Sequence, residues 1–546
     1  MSNKLETLSQ KNRSNLSSVS LRFLDHQRRH GTEMLSRWLS DCKGGYIISL
    51  LLRYSAISIR ISVLTFIFLY LLASGCQTRL CFQLREVMSP HDSGACKHYD
   101  STGDGKPDFF TFTDNNGRIS RIGYDNDVDA APDIIVNLDE IPASRCRHLV
   151  LILDGIGYDL LKKCYDSGKL RMFYPPSRIV SPYPSVTEIS ISAILGSSPP
   201  RAVQSRYFDR KTNSMVGGVM DYMKGKNEPF AASLTYRAPQ HVDGLSYLMG
   251  MPMFNSELNT VKHLFEKRQS REVIAYLVSS AAVSVRDGAA GQMECLNQLD
   301  RFVVEALWQS RGLVKVTLLA DHGLSYEQVE WLDLEKHLMD RGWLLKKHIN
   351  GPRDVVLSTL GVVTYACFST RRPCALSEDL ITCKGVDLVS YAKDDAVEVL
   401  TPGGDRAVIR VRGGRFVYNP IAGDPLLLTP ILGNLEADEN GGYNSEDLLL
   451  ATATHIYPAP LQRLWEAHFC RVENPPDVIV SLKDRYCSGP PSFGMVRITT
   501  THGNLNYRNS VTFLMSTAGT FKPVMRTCDI REQIGHLLGN PWPMRE

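Results

Sequence analysis

Four short apolar runs constrain this chain more than any other feature. They are His148–Asp154 (HLVLILD), Ile274–Ser280 (IAYLVSS), Val314–Asp321 (VKVTLLAD) and Met495–His502 (MVRITTTH), each closing on a polar residue. Runs of this length without polar alternation read as strands covered on both faces, the habit of parallel sheets. Helical patterns such as Ser256–Lys267 and Ala290–Trp308 lie between them. The alternation predicts an α/β fold, a doubly wound, mostly parallel sheet, over residues 146–546. Such sheets bind ligands beyond the carboxyl ends of their strands. The polar residues closing the four runs are therefore expected around one crevice.

At 546 residues the chain is too long for one ordinary domain. With 61 basic and 58 acidic residues it lacks the charge of a general nucleic-acid binder, and no duplex binding is expected. The balance is uneven. Residues 1–60 hold ten Lys or Arg against four Asp or Glu, and the 18 residues Ile61–Thr78 then carry no charge at all. That length suits one helical membrane crossing, and the basic flank predicts a cytoplasmic N-terminal region. The main domain would then be membrane-anchored and extracytoplasmic, periplasmic if the source is bacterial. Within the same segment, Leu72-Ala73-Ser74-Gly75-Cys76 is similar to a lipoprotein-type signal. An uncleaved anchor, a lipid anchor on Cys76 and a buried core helix all remain open from the residues alone. The thirteen cysteines include no CxxC pair, which argues against a Cys-rich zinc module.

An internal repeat with a 25-residue period marks a second region, 84–145. Its copies are centred on Asp100, Thr102, Asp104 and Asp108, and on Asp125, Asp127, Asp129 and Asp133. Oxygen-bearing side chains at alternate positions can turn several oxygens inward, as calcium requires. The second copy has Ala130 where the first has Gly105, so the first is expected to be the better calcium site. The strand-like runs between the copies predict a small β-rich module. A third texture covers about 350–450, where VEVLTPGGDRAVIRVRGGRFVYN reads as strands joined by Gly-Gly turns. It is expected to be a cap inserted into the main domain.

The polar strand ends supply the chemistry. Asp154, the triplet Asp321-His322-Gly323 and the pair His502-Gly503 offer carboxylate and imidazole donors suited to a divalent ion. Pro184-Ser185-Val186-Thr187 puts a hydroxyl where a helix should begin, a place that favours phosphate. In this order and placement the motifs resemble the alkaline phosphatase superfamily, on its type I phosphodiesterase and nucleotide pyrophosphatase branch. The resemblance covers about residues 146–546. It implies a metal-dependent phosphoric ester hydrolase acting on a phosphorylated small molecule or nucleotide-like substrate. Thr187 would be the nucleophile, with a metal at Asp154, Asp321 and His322, zinc first and manganese second. It also implies a second site, from an Asp-x-x-x-His-x-x-Gly segment and His502. Here the chain departs from the pattern. Ala281 stands at the Asp position and Val285 at the His position, and neither can bind a metal. One ion is therefore expected rather than two, with either reduced activity or a pseudoenzyme that binds a phosphorylated ligand without turnover. Asp243 and His241 are the candidates for a substitute ligand.

Overall fold

The computed structural model describes residues 82–87, 95–268, 270–489 and 498–544. The basic region 1–60 and the expected anchor or lipoprotein-type signal at 61–78 lie outside these residues. Among the described residues no helix is long and apolar enough to cross a membrane.

The repeat region forms a five-stranded antiparallel sheet in chain order. Its strands are β1 (Arg85–Val87), β2 (Cys96–Asp100), β3 (Phe109–Thr113), β4 (Ile119–Tyr124) and β5 (Ile134–Asn137). The two Asp-rich loops join β2 to β3 and β4 to β5. Phe109, Ile122, Tyr124 and Leu138 share one hydrophobic cluster with Leu149 and Leu151 of the main sheet. Hydrogen bonds cross the same boundary, from Tyr124 Oη to the Trp308 carbonyl at 2.9 Å and from Lys315 Nζ to the Leu138 carbonyl at 2.9 Å.

The main sheet has seven strands: β6 (Arg147–Leu153), β7 (Ser177–Val180), β8 (Tyr236–Arg237), β9 (Glu272–Leu277), β10 (Val314–Ala320), β11 (Val511–Ser516) and β12 (Val524–Arg526). Their spatial order is β8-β9-β6-β10-β11-β7-β12. Four neighbouring pairs are parallel, and β11 runs antiparallel to both its neighbours. Alternate residues of β6 explain why its run is apolar throughout. Leu149, Leu151 and Leu153 face a core completed by helices α3 (Met251–Lys267) and α4 (Ser279–Gln309). Val150 and Ile152 face the other core, completed by α1 (Thr187–Leu195) and the helix Ile530–Leu538. A strand covered by helices on both faces has no polar side to show, which is the doubly wound arrangement. The remaining helices used below are α2 (Gln240–Met249) and α5 (Pro460–Phe469).

Three of the four apolar runs become neighbours β9, β6 and β10, with their carboxyl ends on one edge. The fourth does not form a strand where it is described. Residues 498–502 are irregular apart from one bridge between Thr501 and Ser325. The Thr499 hydroxyl instead bonds the carbonyls of Ser284 and Val285, and that of Thr500 pairs with Ser284 Oγ at 3.0 Å. Threonines that look like strand formers have spent their hydroxyls on helix α4. The antiparallel strand in this part of the sheet is β11, which starts nine residues after His502.

A second, nine-stranded sheet begins at Leu344–Leu345, ends at Gly442–Tyr443 and includes Val478–Leu482. The stretch expected as a cap, about 350–450, lies within it. The expected hairpins are Ala396–Leu400, Arg406–Arg412 and Arg415–Ala422, paired antiparallel. Gly413 and Gly414, with φ of 55° and 77°, make the two-residue turn of the second hairpin.

Candidate active site

Asp154 follows β6 and Asp321-His322 follow β10, two adjacent parallel strands, so these side chains meet without any long-range distortion. One ligand atom from each of Asp154, Asp321 and His322 lies within 4.8 Å of the other two. All three residues are buried. His322 Nε2 is 3.7 Å from Asp154 Oδ1 and 3.5 Å from Asp321 Oδ2.

The hydrogen bonds around the cluster fix which atoms are free. His322 Nδ1 lies 2.9 Å from the Gly323 carbonyl, so its proton sits there and Nε2 keeps a lone pair. Asp321 Oδ1 accepts from the backbone N–H groups of Gly155 and His322 at 3.0 and 2.8 Å. Asp154 Oδ2 accepts from Tyr276 Oη at 2.8 Å. Asp321 Oδ2 and His322 Nε2 are left buried with no partner. Burial lowers the His322 pKa to about 4, so the ring is neutral at neutral pH and gives no counter-charge. Burial, and then the charge of Asp321, raises Asp154 well above the usual carboxylate range. Burial also raises Asp321, against the Gly155 hydrogen bond and the nearby Thr187 hydroxyl. A lone pair and carboxylate oxygens thus face one another in a dry site, an arrangement a divalent cation would satisfy.

Thr187 is the first residue of α1, and no side chain caps that helix. Its hydroxyl lies close enough to Asp321 to lower that carboxyl's pKa. Glu188 beside it is raised to about 7, chiefly by burial. His502 stacks on His322, ring centroids 4.2 Å apart and 14° from parallel. Its Nδ1 is 3.0 Å from the Ser185 carbonyl, and burial, followed by His322, lowers its pKa to about 3. It is not one of the three donors that converge. Gly323 is required here by close approach: a Cβ on it would sit 2.1 Å from the Arg508 carbonyl oxygen.

Ala281 and Val285 lie in the first turns of α4, whose Ser280 Oγ donates to the Asp154 carbonyl at 2.8 Å. The segment expected to carry a second ion therefore does adjoin the first site, with Ala281 and Val285 at the ligand positions. Asp243, the suggested substitute, lies on α2 and accepts from Tyr222 Oη at 3.1 Å. Arg237 is 3.5 Å from it. Burial raises Asp243 to about 6. The side chain of His241 is outside the described residues.

In the N-terminal module the two Asp-rich loops share one conformation. Asp100 accepts from the N–H groups of Gly103 and Gly105, and Asp125 from those of Val128 and Ala130, at 2.6 to 2.8 Å. Thr102 also hydrogen-bonds Asp100, and Asp104 accepts from Lys106 N. Asp108 and Asp133 each accept a backbone N–H from the residue after the leading aspartate. Asp129 accepts from Ala131 N. The loops differ in convergence. Asp125, Asp127 and Asp133 bring one oxygen each within 4.8 Å, whereas among the described residues the first loop gathers no such group. The first loop has Thr102 where the second has Asp127, so it has one carboxylate fewer to offer.

Two contributors escaped the sequence reading. Tyr276 pairs in register with Ile152, two residues before Asp154, which places its hydroxyl at the ligand cluster. A tyrosine inside an apolar strand, one residue short of the strand end, was the available signal. Arg463, on α5, bonds the loop that leads to Thr187.

No family model matches the sequence, and no curated protein matches it. Solved structures that resemble this chain include murine ectonucleotide pyrophosphatase/phosphodiesterase 5, at 10% identity and TM-score 0.43, covering 73% of this chain and 97% of that one. The human protein of the same name gives 11% identity, TM-score 0.42 and coverages of 73% and 96%. An inactive form of the murine protein in complex with AMP gives 10%, 0.41, 73% and 97%.

Proposed function

We propose that the chain is a metal-dependent phosphoric ester hydrolase of phosphodiesterase or nucleotide pyrophosphatase type, with Thr187 as nucleophile. The observation that carries the reading is the buried meeting of unpartnered Asp321 Oδ2 and His322 Nε2 with Asp154, beside a threonine that opens an uncapped helix. Asp154, Asp321 and His322 would hold one divalent ion, zinc first and manganese second. When bound, such an ion supplies positive charge to a phosphate oxygen and lowers the pKa of a neighbouring hydroxyl.

The chain's own groups do the rest. The free N–H groups at the start of α1 hold phosphate oxygens. Thr187 gives up its proton to solvent as its Oγ1 attacks phosphorus. The new P–O bond forms as the ester P–O bond breaks, and the leaving group takes a proton from solvent. Water then hydrolyses the phosphothreonine and restores the hydroxyl. His502, pinned through Nδ1, keeps Nε2 as its remaining acceptor. Substrate choice belongs to the second sheet, and calcium to the Asp125–Asp127–Asp133 loop. A tether at 61–78 that keeps the main domain outside the cytoplasm completes the reading and rests on the sequence.

A second reading, a binding protein without turnover, is favoured by Ala281 and Val285, which offer no donor beside the first site. One assay separates the two. The full chain is incubated with bis-p-nitrophenyl phosphate or p-nitrophenyl phosphate and zinc or manganese, then compared with Thr187→Ala. Hydrolysis that falls at least about a hundredfold in the variant is expected. Hydrolysis that survives the substitution removes Thr187 as nucleophile. Absence of hydrolysis by the unaltered chain favours the binding reading.

A further inference from the structure

Arg463 is 4% exposed, and among the described residues no carboxylate pairs with it. A buried guanidinium without a counter-ion costs several kcal/mol unless hydrogen bonds replace its water. Five acceptors do so for Nη1 and Nη2, while Nε is buried without a partner. Nη1 donates to the carbonyls of Pro458 and Leu505, both at 3.1 Å. Nη2 reaches the Pro182 carbonyl at 3.3 Å, Ser185 Oγ at 3.0 Å and Ser510 Oγ at 2.7 Å. Burial lowers its pKa to about 9, which leaves it charged at neutral pH.

Four of these acceptors belong to two functional segments, and the fifth, Pro458, lies just before α5 itself. Pro182 and Ser185 precede Thr187 by five and two residues. Leu505 and Ser510 belong to the stretch that follows His502. The segments are also joined directly: Ser185 N donates to the Gly503 carbonyl at 3.2 Å, and the Ser185 carbonyl holds His502 Nδ1 at 3.0 Å. The planar fork of one arginine thus spans the loop carrying the threonine and the loop carrying the histidine. Arg463 itself comes from α5, which packs with the second sheet. Lysine cannot span the same acceptors, because its three donors radiate from a single nitrogen.

We propose that Arg463 is a positioning residue: its buried guanidinium clamps Pro182–Ser185 to Leu505–Ser510 and so holds Thr187 and His502 in the geometry of the reaction. This assignment rests on the hydrolase reading above. It places the cost of losing the clamp in turnover and not in capture of metal or substrate.

The test uses the full chain with bis-p-nitrophenyl phosphate and zinc. Arg463→Lys keeps the charge and removes the fork. It should lower kcat between about tenfold and a hundredfold, the range for a displaced reacting group. KM and zinc affinity, measured by chelator competition, should stay within about twofold. Ser185→Ala removes one acceptor on the threonine side. It should lower kcat about tenfold and add nothing further when combined with Arg463→Lys. If Arg463→Lys does not fold, Ser185→Ala alone decides. A kcat within twofold of the unaltered chain, measured well below Tm, overturns the assignment in either variant, whatever happens to Tm. Where the unaltered chain hydrolyses and the variants match it, only this assignment has failed. Where the unaltered chain does not hydrolyse, the hydrolase reading has failed and this assignment falls with it.

Discussion

Replacing Asp321 by asparagine should change the protein in two opposite ways. In the metal-free chain, Asp321 Oδ2 and His322 Nε2 are both electron-rich, 3.5 Å apart and without partners. An asparagine keeps an oxygen for the N–H groups of Gly155 and His322, which now bond Oδ1. Its amide can then donate to the imidazole lone pair. One buried charge disappears and one orphan pair is satisfied, so metal-free Asp321→Asn should be at least as stable as the unaltered chain. Zinc should act the other way round. At about one hundred times its Kd, a ligand that binds only the folded state stabilises it by about 2.7 kcal/mol. Unfolding roughly 450 ordered residues at about 2 cal/mol/K each gives an entropy near 0.9 kcal/mol/K, so Tm of the unaltered chain should rise by about 3 °C. In Asp321→Asn that rise should vanish. Thermal scans of both proteins, with chelator and with zinc, give the four values needed. A variant several degrees less stable without metal, yet still stabilised by zinc, would falsify the cation site, since Asp321 would then be a structural acceptor only.

Two further perturbations test other parts of the molecule. Burial raises Glu257 to about 7, and its carboxylate accepts from the Ser279 backbone at 3.0 Å. Between about pH 4.5 and 7 the folded chain keeps a proton that the unfolded chain has released. Stability should therefore fall as pH rises through that window, by up to about 3 kcal/mol. Glu257→Gln should flatten the dependence, checked by denaturant unfolding at pH 5 and pH 8; an equal slope in both proteins would count against it. In the N-terminal module, Val128 and Ala130 hold φ of 66° and 69° where the matching loop has Gly103 and Gly105. Val128→Gly should leave stability unchanged or raise it by about 1 kcal/mol, while Gly103→Val should lower it by about 1–2 kcal/mol. Losses of similar size from both would refute the shared loop conformation.

The runs at β6, β9 and β10 were legible because strands buried on both faces cannot hide their apolar character. Asp154 and Asp321-His322 were legible as partners for the same reason, since adjacent parallel strands deliver their carboxyl ends to one edge. The run ending at His502 misled because threonine is a good strand former and an equally good side-chain donor; tertiary partners on α4 decided between the two. Strand β11 (VTFLMS) was as apolar as the others, but its antiparallel direction leaves no trace in composition. Tyr276 and Arg463 act through partners far away in sequence. Arg463 did leave a mark: it falls on the helical stripe of buried Pro460, Leu464 and Ala467. An arginine there must either find many acceptors or unfold the helix.

The shared interior of the small five-stranded sheet and the main domain sets a limit on how this molecule can be shortened. A version beginning at Cys146 would strip Phe109, Ile122 and Tyr124 from the cluster they share with Leu149 and Leu151, and would leave Lys315 without the Leu138 oxygen. The uncovered face would be greasy and wet at once, a recipe for aggregation that mimics a dead enzyme. Expression for any assay should start upstream of Leu84, so that silence in the cuvette reports on chemistry rather than on a missing wall.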